Sequence, residues 1–246
     1  MALPKIDVPI YEAELPSLGK KIRFRPFTVK EEKLFLMAAQ SEDSETIIGT
    51  IIQVLNNCIL DEVDIEKMAL FDVEYLFLNL RARSIGEIVE LTYKCNNEIS
   101  GENGEAKKCN NIVNIDVNVL DIKPTGDVSK SKDIKLTNNL GIVMKYPNMS
   151  VLNVQKDVQG DDLDSIIKMI IDCIDYIYDE NEIYYAKDST EEELMEFLDS
   201  LQSKELDKIK DFFENLPKLE KDLDFKCNKC GHEETIKLEG IQNFFV

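Results

Sequence analysis

Apolar and polar residues alternate with period two in some stretches of the chain and recur near every 3.6 residues in others, and this fixes most of the expected elements. At the start, Ile10-Tyr-Glu-Ala-Glu-Leu15 and Lys21-Ile-Arg-Phe-Arg25 read as two strands around the turn Pro16-Ser-Leu-Gly19. The string Thr28-Val-Lys-Glu31 is a capping box, so a helix is expected from Val29 to about Gln40. An isoleucine-rich helix follows from Ser44 to Leu60, then a short one over Asp64–Leu70 and a strong one over Phe71–Ser84, ended by Gly86. Glu87–Cys95 alternates as a strand, Asn96–Lys108 reads as a polar loop, and Ile112–Val119 as the returning strand.

The second half repeats this order. Asp133–Thr137 and Leu140–Tyr146 form a hairpin, short helical turns follow Pro147, and Leu163–Tyr178 carries helical spacing at Ile166, Ile167, Ile170, Ile171, Ile174 and Ile177. Glu182–Ala186 is expected as a brief extended piece, and Ser189-Thr-Glu-Glu192 as a second capping box leading a helix to Leu201. A further helix spans Ser203–Leu216 and stops at Pro217. Strands at Leu219–Lys226 and Glu233–Leu238 follow, and Phe244-Phe-Val246 is apolar. Each half thus runs hairpin, proline, helices, strand, cysteine, turn, cysteine, strand, with Pro26, Cys58 and Cys95 matching Pro147, Cys173 and Cys227. The expected fold is α+β: two pseudo-repeated lobes of β-hairpin plus helices, joined by a zinc-ribbon-like four-cysteine site. The lobes are residues 1–120, with the first cysteine pair, and 133–246, an acidic helical lobe ending in a zinc knuckle. Residues 121–132, with Pro124 and Gly126, form the linker.

Charge narrows the function. The formal net charge is -19, and residues 151–225 hold 22 acids against 8 bases, whereas residues 1–40 hold 7 bases and 5 acids. Such an excess of acid opposes binding to duplex nucleic acid, which needs a basic surface; the acidic second half reads first as a solvated helical surface, and as a docking face it would suit a basic or polar partner. No run approaches the roughly 20 apolar residues of a membrane span, and Met1-Ala-Leu-Pro-Lys lacks the pattern of a signal peptide, so a soluble cytosolic protein is expected.

Six cysteines in such a chain point to thiols or metal ligands, not to a disulfide framework. Cys227-Asn-Lys-Cys230-Gly231 between two strands reads as a zinc knuckle, whose tight turn aims both sulfurs at one point. A structural zinc needs four ligands, and Cys95 and Cys109 supply the others. They are too far apart for a knuckle turn, yet each lies at the inner end of a strand, and a hairpin would bring them together. The expected cofactor is a structural Zn(II) on Cys95, Cys109, Cys227 and Cys230. His232 in place of Cys95 or Cys109, a rubredoxin-like iron site, or free thiols stand as alternatives. Cys58 and Cys173 read as small buried core residues. The acids Asp161-Asp162 and Glu191–Glu193 read as helix N-terminal residues. Arg23, Arg25, Arg81 and Arg83 read as strand and helix-end surface residues pairing with nearby carboxylates, with binding of an anion as the alternative. A Gly-rich phosphate loop, G-x-S-x-G and H-E-x-x-H are all absent from the sequence, so neither a catalytic site nor an organic cofactor is assigned.

Three strings carry a family resemblance: Lys20-Lys-Ile-Arg-Phe-Arg-Pro-Phe-Thr-Val-Lys-Glu-Glu32, Phe71-Asp-Val-Glu-Tyr-Leu-Phe-Leu-Asn-Leu-Arg-Ala-Arg-Ser-Ile-Gly-Glu87, and Cys227-Asn-Lys-Cys230-Gly-His232 with Gly240-Ile-Gln-Asn-Phe-Phe245. Together they resemble the baseplate hub assembly proteins of T-even-like contractile-tailed bacteriophages. The resemblance implies a non-enzymatic viral protein, present in the host cytoplasm during assembly and in the tail baseplate. It would act as hub component or assembly chaperone through contacts with other hub and tail proteins. A zinc-ribbon nucleic-acid-binding regulator is the alternative from another class.

Overall fold

The computed structural model describes residues 6–41, 44–100, 106–126, 128, 132–149 and 163–240. Six α-helices and thirteen strands lie among them, and every paired strand is antiparallel. Strands β1 (Tyr11–Glu14) and β2 (Lys21–Phe24) form the first hairpin in the register Tyr11↔Phe24. Ala13, Ile22 and Phe24 point inward, as the alternation requires.

Helix α1 (Val29–Ser41) starts where expected, with the glutamate half of the box in place: the Glu31 carboxylate accepts from the Thr28 backbone N–H at 2.8 Å and from the Thr28 hydroxyl at 2.6 Å. Glu31 is 2% exposed and also accepts from Arg25 Nη2 at 3.0 Å. Burial alone would raise its pKa, but the donors from Arg25 and Thr28 outweigh it and bring the value down to about 2. Helix α2 (Ser44–Cys58) buries Ile48, Ile51, Val54, Leu55 and Cys58 on one stripe. The Asp64–Leu70 stretch is a single 3-10 turn, Ile65–Lys67. Helix α3 (Leu70–Ser84) is buried over most of its length, and Asp72 in its first turn accepts from the Ser17 backbone N–H at 3.0 Å and from the Ser17 hydroxyl. That contact pins the β1–β2 turn to the start of α3. The expected arginine pairs form at Arg23–Asp61, Arg25–Glu31 and Arg83–Glu87, but Arg81 is buried at 8% exposure, not on the surface, because α3 presents that side to the core.

Strands β3 (Ile88–Lys94) and β6 (Ile112–Asn118) pair as anticipated. The intervening stretch is not simply a loop: β4 (Glu98–Ser100) and β5 (Ala106–Lys108) pair as a small exposed hairpin beyond the cysteines. Pro124–Thr125, within the linker, forms β7. Strands β8 (Asp133–Lys135) and β9 (Leu140–Met144) form the second hairpin. The expected turns after Pro147 and the apolar Phe244–Val246 fall largely or wholly outside the described residues.

One element is corrected outright. Leu163–Tyr178 is not a single helix: α4 (Leu163–Asp172) ends before Cys173, and Ile174–Asp179 is strand β10. The isoleucine spacing fits a helix, but Ile174-Asp-Tyr-Ile-Tyr is also β-branched and aromatic, and pairing with β9 and with β11 (Ile183–Tyr185) on its two sides decides the outcome. Helix α5 (Glu191–Asp199) opens on a capping box one residue later than expected, between Thr190 and Glu193, with Glu191–Glu193 in its first turn. Helix α6 (Ser203–Glu214) leads to β12 (Lys218–Lys226) and β13 (Glu233–Glu239).

The sheets are β1-β2, β3-β6, β4-β5, β7-β12-β13 and β8-β9-β10-β11. Two main cores result. The larger gathers β1, β2, α2, α3 and the β3–β6 hairpin with Leu219, Leu223 and Leu238 of the returning strands; the smaller packs α4, α5 and α6 on β8-β9-β10-β11. Cys58 and Cys173 are buried in these cores as expected, and burial pushes their thiols up to about 11 and about 12. A local arrangement recurs around them. Arg25 N–H donates to the Cys58 carbonyl at 2.9 Å and Lys145 N–H to the Cys173 carbonyl at 2.6 Å, while Phe24 pairs with Ile59 as Met144 does with Ile174.

Candidate metal centre

The four remaining cysteines converge. Cys95 follows β3, Cys109 precedes β6, and Cys227 and Cys230 sit in the turn between β12 and β13, so two hairpins meet tip to tip. All four sulfurs lie within 4.8 Å of one another; Cys95–Cys230 and Cys109–Cys227 are each 3.7 Å apart. Cys95, Cys109 and Cys227 are buried and Cys230 is partly exposed, against Phe225, Tyr93, Ile99, Val113, Ile115 and Ile236.

Backbone hydrogen bonds build the site, and they build it twice. In the second hairpin, Cys227 N–H donates to the His232 carbonyl at 2.8 Å and Gly231 N–H to the Cys227 carbonyl at 2.9 Å. In the first, Cys95 N–H donates to the Asn111 carbonyl at 2.8 Å and Asn110 N–H to the Cys95 carbonyl at 3.0 Å. Cys95 therefore matches Cys227, Cys109 matches Cys230, and Asn110 takes the place of Gly231; both occupy the left-handed region, with φ of 53° and 73°. The Cys95–Cys109 spacing conceals a knuckle turn, contrary to the sequence expectation. The β4–β5 hairpin is inserted within the knuckle, and Cys109 N–H donating to the Asn97 carbonyl at 2.8 Å closes its base. Each sulfur's near partner is the opposite member of the other knuckle, an approximate two-fold arrangement.

Two side chains complete it. Asn97 Nδ2 donates to Cys230 Sγ at 3.7 Å, and Asn111 Nδ2 to Cys227 Sγ at 3.6 Å. Sequence reasoning missed both, although the repeated string Cys-Asn-Asn at 95–97 and 109–111 was the available signal. His232 supplies its carbonyl to the knuckle while its ring lies 3.7 Å from Glu234.

Burial pushes the Cys95 thiol up to about 12 and raises Cys109. Burial acts the same way on Cys227, but donors from the Cys230 and Lys229 backbone and from neighbouring thiols bring it down to about 6. The donor set fits a tetrahedral thiolate-bound ion. A Zn–S bond of about 2.3 Å implies sulfur–sulfur edges of about 3.8 Å, close to the 3.7 Å of the two near pairs. Four sulfurs fill the coordination sphere of such an ion and leave no position for substrate.

Among the described residues no helix is long and apolar enough to cross a membrane. A family model described as "T4 bacteriophage base plate protein" matches residues 8–246. No curated protein and no solved structure matches the chain.

Proposed function

Because the chain belongs to the T4 bacteriophage base plate protein family, we propose that it serves in the assembly of the baseplate hub. It acts there as a hub component or assembly chaperone, without catalysis, through contacts with other hub and tail proteins. It works in the host cytoplasm during assembly and in the tail baseplate. Cys95, Cys109, Cys227 and Cys230 hold one structural Zn(II). The ion ties a lobe of residues 1–120 to a lobe of residues 133–246 across the 121–132 linker, the two lobes being diverged copies of one unit. The recurrence of the Cys58 and Cys173 pairings supports that common origin.

The convergence of the four sulfurs carries the metal reading, and the match over residues 8–246 carries the baseplate reading. The two are tested separately. Elemental analysis of the purified chain should find about one zinc per molecule; substoichiometric metal in well-folded protein would refute the site. Affinity purification from phage-infected cells should recover hub subunits, and recovery of none would refute the hub role.

A further inference from the structure

The sheet β8-β9-β10-β11 has two unlike faces. Leu140, Ile142, Met144 and Ile177 point into the smaller core beneath the helices. The opposite face is paved by Tyr176, Tyr178, Ile183 and Tyr185, paired as Tyr176↔Tyr185 and Tyr178↔Ile183. None of these four belongs to a hydrophobic cluster, and Ile183 and Tyr185 are 54% and 45% exposed. The rings are held in place. Tyr176 lies 5.7 Å from Tyr185 and 6.4 Å from Tyr178, centroid to centroid. Tyr178 lies across Gly141, where a Cβ would stand 2.2 Å from the ring, and its hydroxyl donates to Asp133 at 2.7 Å.

The sheet and its turns are acidic: residues 133–144 and 174–188 hold six acids and two bases, Lys135, in register with Gly141 and Tyr178, and Lys187. The Lys187 ammonium sits 5.2 Å from the Tyr185 ring centroid. The chain's own cation thus occupies the position where an incoming one would bind a tyrosine face. β11 is also the edge of its sheet, and among the described residues no strand pairs with its outer side, where the Tyr185 carbonyl accepts from the Ser189 hydroxyl at 3.3 Å.

We propose that this face and the β11 edge dock an extended polypeptide segment of another protein that carries Arg or Lys at alternate positions. The backbone would add to β11, and alternate side chains would lie over Tyr185 and Tyr176. Tyrosines offer large contact area at low cost in side-chain entropy, and the acidic rim steers and selects a basic partner. A second copy of the chain is disfavoured, since the same acidic face would meet its own charge. This inference goes beyond the hub reading and does not involve the cysteines.

The test uses the full-length protein and a fluorescent ten-residue peptide alternating Arg and Thr, with its Glu-for-Arg counterpart as control, read by anisotropy. The Arg peptide should bind and the Glu peptide should not. Tyr185→Ala with Ile183→Ser should weaken binding about tenfold or more. Lys187→Ala, which removes the competing internal cation and leaves the core untouched, should tighten it several-fold. No binding of the Arg peptide would overturn the proposal. So would affinity unchanged in the tyrosine and Lys187 variants, which would mean diffuse attraction to acid. Self-association abolished by Tyr185→Ala, without peptide binding, would overturn it in favour of a second copy.

Discussion

Stripping the proposed Zn(II) from the four-sulfur site, or replacing Cys227 with Ser, is the perturbation that most directly probes the clasp. Cys109 and Cys227 are 118 residues apart in sequence, and Cys95 and Cys230 are 135 apart. Joining positions so distant removes closure entropy from the unfolded chain that amounts to roughly 5 kcal/mol by the chain-entropy relation for cross-links. The tips themselves share only the small apolar cluster of Phe225, Tyr93, Val113 and Ile236, while further along the same strands Leu219, Leu223 and Leu238 already pack with Val89 and Val117 in the larger core, so the entropic figure is the ceiling of what the ion contributes. For 246 residues the entropy of unfolding is about 0.5 kcal/mol per kelvin, so the loss corresponds to a fall in Tm of up to about 10 °C. Calorimetry on metal-loaded, chelator-stripped and Cys227→Ser protein, with metal measured on the same samples, reads this directly. Cys173→Ala serves as the control that keeps its metal. A stripped protein melting within about 2 °C of the loaded one would refute the reasoning, because the hairpins would then be held by packing alone.

Three further outcomes follow from other contacts. Asn97→Ala or Asn111→Ala should weaken metal retention about tenfold or more against a chromophoric chelator, since each amide orients a sulfur. The Glu31 carboxylate is held at about 2, below its ordinary value, so its stabilisation is complete above about pH 4.5 and is lost as pH falls towards 2. Glu31→Gln should therefore cost about 2–3 kcal/mol in urea unfolding at pH 7 and progressively less below pH 4. Gly141→Ala should cost about 1–2 kcal/mol by displacing the Tyr178 ring, and most of that cost should vanish in a Tyr178→Ala background, where the clash is absent.

The sequence is most readable where local pattern and tertiary outcome coincide. The period-two runs around Ile22, Val89 and Leu223 pair as strands because one face of each is buried. The sulfur cluster was legible for the same reason, since each cysteine sits at the end of such a run. Ile174–Asp179 was not: isoleucines at 170, 171, 174 and 177 satisfy a helical stripe, and only the neighbours β9 and β11, distant in sequence or across a turn, select the strand. The knuckle at Cys95 and Cys109 was hidden because spacing counts residues along the chain, whereas the turn is defined by which backbone groups close it. The burial of Arg81 could not be read from a basic residue in a helix's last turn, where a surface position is the ordinary outcome.

The placement of the sulfurs also sets an order of events during synthesis. Cys95 and Cys109 emerge early, but their counterparts follow only after the strands and helices of the smaller core have been made. That core draws its members from residues 136–212 and can condense from contacts of modest sequence separation. The β12–β13 tip reaches the waiting hairpin last. A chain broken off before Cys227 would present only Cys95 and Cys109 of the four, so capture of the proposed ion by all four sulfurs would mark a polypeptide that has been made through both knuckles.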